Sequence, residues 1–218
     1  GLQSVHSLGY CHNDIKPQNI VRVHGRWVLI DLDAASQVGS PITQWLSCNL
    51  TQLLPSTLEY KRMSETQGGR DYLLRQFRWS VPPEVVRSAS KQQQQPHLPT
   101  LHASTASDIW LLGQLLFELL TVQPFLFGAT GEDVYAIFAQ TEERVLAPYL
   151  SRLPPPLRPE EQIQCARDPY TGPAWGDWEC SARMVADVTR RCLVLDPLLR
   201  VDAATIVSTL SPGPMLDS

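Results

Sequence analysis

The sequence predicts an α+β domain that is mainly helical, with one short β-hairpin close to its N-terminus. Two features carry that prediction. Residues 20–30 form two β-prone runs on either side of His24 and Gly25, a pair suited to a tight hairpin turn. Residues 107–121 are apolar almost all the way round, through Leu111, Leu112, Leu115, Leu116, Phe117, Leu119 and Leu120. That pattern belongs to a helix buried in the middle of a helical domain.

In chain order, residues 2–8 read as the tail of a helix stopped at Gly9. The hairpin follows. Residues 31–84 show little periodicity and many Ser, Thr and Gln, with a short helix predicted over 73–79. The glutamine-rich stretch 91–95 predicts a mobile low-complexity loop. Thr105 and Asp108 have the spacing of a capping box at the start of the central helix. Residues 133–150 predict another helix, 153–156 a proline-rich linker and 175–178 a tryptophan-bearing loop. Residues 182–195 and 201–210 are the closing helices, and 211–218 a disordered tail.

The 218 residues suit one domain, and 43% are apolar, enough to bury a sizeable core. A net charge of -4 argues against a nucleic-acid surface, and no apolar run reaches membrane-spanning length. Cys11, Cys48, Cys165, Cys180 and Cys192 have no C-x-x-C spacing. This argues against a zinc site or a disulfide framework and for thiols in a reducing, cytoplasmic setting. The chain opens on Gly1, inside a predicted helix, and is expected to be a fragment.

Chemistry concentrates in His12-Asn13-Asp14-Ile15-Lys16-Pro17-Gln18-Asn19 and in Asp31-Leu32-Asp33. A hairpin folded at His24 and Gly25 brings Asn19 beside Ile30 and Asp31. An amide oxygen and a carboxylate then converge, which suits a magnesium ion that takes one or two protein ligands and bridges phosphates. Asp14 and Lys16 lie just upstream. Asp14 is placed to accept the proton of an attacking hydroxyl, and Lys16 to neutralise charge on a moving phosphoryl group. Any one of these residues alone is more often a turn-former or a solvated charge, so the weight rests on the combination.

The first run reads H-x-D-x-K-x-x-N and resembles the catalytic loop of eukaryotic-type protein kinases, with Asp31-Leu32-Asp33 where that family writes D-F-G. Pro82-Pro83-Glu84 resembles the A-P-E that closes the activation segment. Asp108-Ile109-Trp110-Leu111-Leu112-Gly113 resembles D-x-W-x-x-G, and Asp196-Pro197-Leu198-Leu199-Arg200 resembles D-P-x-x-R. These landmarks come in the family's order and span essentially the whole chain. The resemblance implies a protein-kinase-like fold represented over residues 1–210 by its mainly α-helical C-terminal lobe, with the N-terminal lobe absent. It implies ATP and Mg2+ as cofactors and a protein as substrate, with no nucleic-acid or membrane partner. Asp14 becomes the catalytic base, Lys16 the phosphate-contacting cation, Asn19 and Asp31 the metal ligands, and Val21 a residue beneath the adenine ring. Lys16, two residues after Asp14, points to serine/threonine substrates. The resemblance also pairs Glu84 with Arg200 and bonds Asp108 to the catalytic-loop backbone. Without the family's glycine-rich loop and strand lysine, the chain alone is expected to bind Mg-ATP poorly and to be inactive.

Two departures stand out. Asp33 replaces the glycine of D-F-G, and Leu32 replaces the phenylalanine while still able to fill an apolar slot beside His12. Two other functions remain compatible with the chain. A pseudokinase scaffold, which binds without turnover, is favoured by Asp33. A small-molecule phosphotransferase is disfavoured by Lys16, by the Glu84 and Arg200 pair, and by Asp108 with Trp110. Protein phosphorylation ranks first because Asp14, Lys16, Asn19 and Asp31 are all present.

Many members of that family place an arginine just before the catalytic aspartate, where it pairs with a phosphate on the activation segment. Asn13 is neutral and cannot do this. Activity is therefore expected not to depend on phosphorylation of residues 31–84. Phosphatase treatment of the active full-length protein should leave turnover within about twofold. A loss of about tenfold, equivalent to about 1.4 kcal/mol in the barrier and restored by rephosphorylating that segment, would contradict the expectation.

Overall fold

The computed structural model of the chain describes residues 1–41, 62, 65, 66, 68, 69, 82–94, 102–126, 129, 132, 133, 136, 137, 142–158, 161 and 178–210. The expectations for residues 73–79, 175–177 and 211–218 lie outside these.

Helix α1 (Leu2–Ser7) stops where Gly9 turns to a φ of 78°, as the sequence predicts. Strand β1 (Tyr10–Cys11) pairs antiparallel with β4 (Ser36–Gln37), placing Cys11 opposite Ser36. Between them, β2 (Ile20–Val23) and β3 (Arg26–Leu29) form the predicted hairpin, in register Ile20 to Leu29 and Val23 to Arg26. His24 and Gly25 have φ of 48° and 79°, the positive pair that a primed two-residue turn requires. The hairpin leaves Trp27, Val28 and Ile30 exposed.

The remaining elements among the described residues are helical. Helix α2 (Pro83–Gln94) opens on Pro83, where a missing N–H costs nothing. It runs through Lys91 and on to Gln94, so the loop predicted over 91–95 is corrected to helix for most of its length. Lys and Gln are good helix formers, and a polar tract without Gly or Pro has no reason to break one. Helix α3 (Thr105–Thr121) is capped by Ser104, whose Oγ accepts from the Ala106 N–H, so the Thr105 capping box gives way to a cap one residue earlier. At its C-terminal end the single helix predicted over 133–150 is replaced by a 3-10 turn, Glu143–Val145, and the short helix α4 (Ala147–Leu150). Pro148 belongs in the first turn of a helix and not in the interior of a long one.

Helix α5 (Trp178–Cys192) and α6 (Ala203–Leu210) close the fold. Asp202 accepts the Thr205 N–H at 2.7 Å and so caps α6. The proline linker is fixed from α5. Arg183 donates to the Pro155 and Pro156 carbonyls at 3.1 and 3.0 Å, and Arg190 to the Leu153 and Pro154 carbonyls at 3.2 and 2.6 Å.

Helix α3 is the centre of the core. Trp110, Leu111 and Phe117 pack with Val85 and Val86 of α2, with Phe125, and with Leu193 and Leu195 beyond α5. Phe125 meets Trp110 and Phe117 edge-on, with ring centroids 5.8 and 5.3 Å away. Ile109 packs instead with Val188, Cys192 and Ile206.

Glu84 and Arg200 form a two-pronged ion pair, with both N–O distances 2.8 Å. Arg200 also donates to the Ala106 and Val194 carbonyls, and its guanidinium lies over the Trp110 ring. Removing either partner would strand a buried charge, at a cost of about 3–5 kcal/mol.

One cysteine departs from expectation. Cys11 and Cys192 are buried free thiols, but Cys180 is disulfide-bonded. Disulfide formation depends on separation in the folded chain, which spacing along the sequence does not give.

Gly113 sets how closely α3 and α5 approach. A Cβ built there would lie 2.7 Å from Cys192 Cβ and 3.0 Å from Leu193 Cγ. Gly113→Ala gains up to about 1 kcal/mol in helix propensity, but overpacking against a β-carbon costs more. The expected net destabilisation is about 1–3 kcal/mol, read as a lower chemical-denaturation midpoint. An equal or higher midpoint would refute the close-packing account.

Candidate functional site

The site begins with one buried acid. Asp108 is fully buried in the first turn of α3, and its two oxygens accept the His12 and Asn13 N–H groups, each at 2.7 Å. His6 Nε2 of α1 lies 2.9 Å from Asp108 Oδ2. Hydrogen bonds to a charged acceptor contribute about 1.5–3 kcal/mol each, so this carboxylate holds the loop after β1 firmly. The backbone bond that the kinase resemblance implies for Asp108 is present.

His12 carries the order forward. Its Nε2 is 3.1 Å from the Ile30 carbonyl, and its Nδ1 accepts the Asp14 N–H at 3.3 Å. One neutral tautomer, protonated on Nε2, satisfies both contacts. Ile15, the next residue but two, is buried in the main core and anchors the loop from below.

Asp14, Lys16 and Asn19 are brought together. Lys16 Nζ donates to Asp14 Oδ2 at 2.6 Å, and Asn19 Nδ2 donates to Asp14 Oδ2 and to the Asp14 carbonyl, both at 2.9 Å. The Asp14 and Lys16 side chains are 22% and 29% exposed, so the pair is sheltered yet reachable. Both donors fall on Oδ2, which leaves Oδ1 to take a proton. Asn19 is buried at the end of a short 3-10 turn (Pro17–Asn19).

Asp31 arrives by the route the hairpin dictates. The Ile30 N–H donates to the Asn19 carbonyl at 2.9 Å, setting Asp31 one residue from that contact. Asp31 has φ 67°, a left-handed conformation that aspartate tolerates better than most residues. Asn19 uses its amide nitrogen on Asp14, so its oxygen is the atom left for a ligand. With the exposed Asp31 carboxylate it supplies two hard oxygen donors, which fit a magnesium ion held mainly by phosphates and water. Val21 lies in β2 opposite Val28, half-buried, with no hydrogen bond to the other four residues.

Two expectations about the motif change. Leu32 is 57% exposed and does not fill a slot beside His12. The residue with a glycine-like backbone is Asp31, and Asp33 has no positive φ, so the lost glycine strains nothing at position 33. Two residues carry more than the sequence reading gave them. His6 had no motif to flag it. Asn13 lacks the charge of the arginine common at this position in the family, but its amide nitrogen donates to the Ala34 carbonyl at 2.9 Å and to Ser36 Oγ at 2.6 Å.

Burial, and then the Asp108 charge, push the Cys11 thiol up to about 12. Cys11 is therefore a neutral, inert part of the floor of the site at physiological pH.

The Asp14, Lys16 and Asn19 cluster, braced on a buried acid, is thus set within a mainly helical domain. Residues 1–210 match the protein kinase domain, and the chain belongs to that family. It is 27% identical over 142 residues to cyclin-dependent kinase F-3 of Oryza sativa subsp. japonica, covering 64% of this chain and 24% of that protein. It is 23% identical over 204 residues to the dual specificity protein kinase TTK of Mus musculus, covering 94% of this chain and 18% of that protein. The chain thus spans about a quarter or less of these curated relatives. The twitchin kinase region from C. elegans superposes with a TM-score of 0.47 at 15% identity, over 99% of this chain and 27% of that one, a likeness too loose to bear argument. Among the described residues no helix is long and apolar enough to cross a membrane.

Proposed function

We propose that the protein transfers the terminal phosphoryl group of ATP to a hydroxyl on a protein substrate. The observation that carries this reading is the triad of contacts on Asp14: Lys16 at 2.6 Å, Asn19 at 2.9 Å, and a backbone braced through His12 and Asn13 on Asp108. Asp14 Oδ1 accepts the proton of the attacking hydroxyl. Lys16 spends one of its three N–H donors on Asp14 and keeps two for the oxygens of the moving phosphoryl group. Asn19 and Asp31 would hold Mg2+, which when bound would neutralise charge on the nucleotide phosphates. Val21 would lie beneath the adenine ring, as the family resemblance implies. Lys16, at its spacing from Asp14, favours serine or threonine as the acceptor.

A scaffold without turnover is the second reading, and the exposed Leu32 favours it, since the segment after Asp31 lacks an apolar anchor at that point.

Asp14→Asn separates the two. It keeps the shape and the Lys16 contact but removes the proton acceptor. In the full-length protein kcat should fall roughly 100-fold to 10,000-fold, while Mg-ATP affinity by calorimetry changes less than about threefold. Unaltered turnover would sink the assignment of Asp14.

A further inference from the structure

Asn13 stands between the anchor and the base. Its N–H is fixed on Asp108 Oδ1 at 2.7 Å, and its own side chain reaches away from Asp14 toward β4. There the amide nitrogen serves two acceptors, the Ala34 carbonyl at 2.9 Å and Ser36 Oγ at 2.6 Å. Those acceptors fix the orientation of the amide, because the reverse one would set Oδ1 against the Ala34 carbonyl. Oδ1 is buried without a partner. A φ of 64° completes the arrangement, a conformation open to asparagine, aspartate and glycine but costly for most other residues. Backbone and side chain thus bind one residue to α3 on one side and to the segment after Asp31 on the other.

We propose that Asn13 is a positioning residue. Its amide clamps Ala34 and Ser36 to the loop that carries Asp14, so that the base and the Asp31 end of the site form one unit without any added charge. Ser36 is the second half of the clamp. It lies opposite Cys11 in the β1–β4 pair, so losing the amide contact loosens the short ladder as well as the chain after Asp31. The proposal rests on the phosphoryl-transfer reading for its catalytic consequence, but the clamp itself is independent of that reading.

Three variants of the full-length protein separate the effects. Asn13→Gly keeps the left-handed backbone and removes only the amide. Asn13→Asp keeps shape and backbone but faces the Ala34 carbonyl with an acceptor. Ser36→Ala removes one acceptor, and Ser36→Thr restores a hydroxyl. Amide hydrogen exchange over residues 34–38 reads the clamp, and it should quicken by about tenfold or more in N13G and N13D, less in S36A, and not in S36T. Steady-state kinetics read positioning. In N13G and N13D kcat should fall about tenfold or more with the KM for ATP within about threefold, and S36T should hold kcat near the parent value. Unchanged exchange in N13G overturns the clamp. Quickened exchange with unchanged kcat overturns the positioning role. Asp14→Asn, run alongside, reports on the underlying reading: if it turns over like the parent, that reading fails while the exchange data still judge the clamp.

Discussion

A carboxylate sealed from water is among the most expensive groups a fold can carry, unless hydrogen bonds replace the solvent it gives up. Asp108 is such a group, and the geometry of the site follows from how its demand is met. The two N–H groups that answer it are consecutive in sequence, on His12 and Asn13. Two neighbouring amides can point at one carboxylate only if the chain turns sharply between them, and Asn13 supplies the turn with its positive φ. The direction in which Asp14 leaves the loop is set at that point.

The first turn of α3 is a junction for the same reason. Three successive residues there bind separate parts of the chain. The Ala106 carbonyl takes Arg200, the Ser107 hydroxyl donates to Glu84, and Asp108 takes the loop. The Glu84 and Arg200 pair therefore does more than join α2 to the region before α6, because it closes on the same helical turn that holds the loop carrying Asp14. Behind it, Trp110 underlies the Arg200 guanidinium, and Gly113 lets α5 press against α3. Core packing fixes the helix, the helix fixes Asp108, and Asp108 fixes the loop that carries Asp14.

Much of this was legible in the sequence. His24-Gly25 between β-prone runs specified the turn and its register, and the register brought Asn19 to Ile30 and Asp31. The central helix could be read from its apolar residues, and the Asp14, Lys16 and Asn19 cluster from local spacing, because a short loop leaves those side chains little choice. What escaped had causes of other kinds. Gln92 to Gln94 looked like a loop by composition, yet helix propensity decides when no breaker intervenes. The helix over 133–150 ignored Pro148. His6 reaches Asp108 across 102 residues of sequence, and the Asn13 side chain reaches Ser36 across 23, so neither contact leaves a local pattern. Leu32 is exposed because its own surroundings offer no apolar slot, which a motif's spacing does not reveal.

The central claim is that the Asp108 carboxylate, and not merely a side chain of its size, holds the loop. Asp108→Asn tests it most directly, because it keeps the volume and exchanges one acceptor oxygen for a donor that must face an N–H. In the full-length protein, urea denaturation and steady-state turnover measured on the same sample should show a stability loss of about 1–3 kcal/mol together with a fall in kcat of about tenfold or more. Native stability with native turnover in that variant would contradict the account.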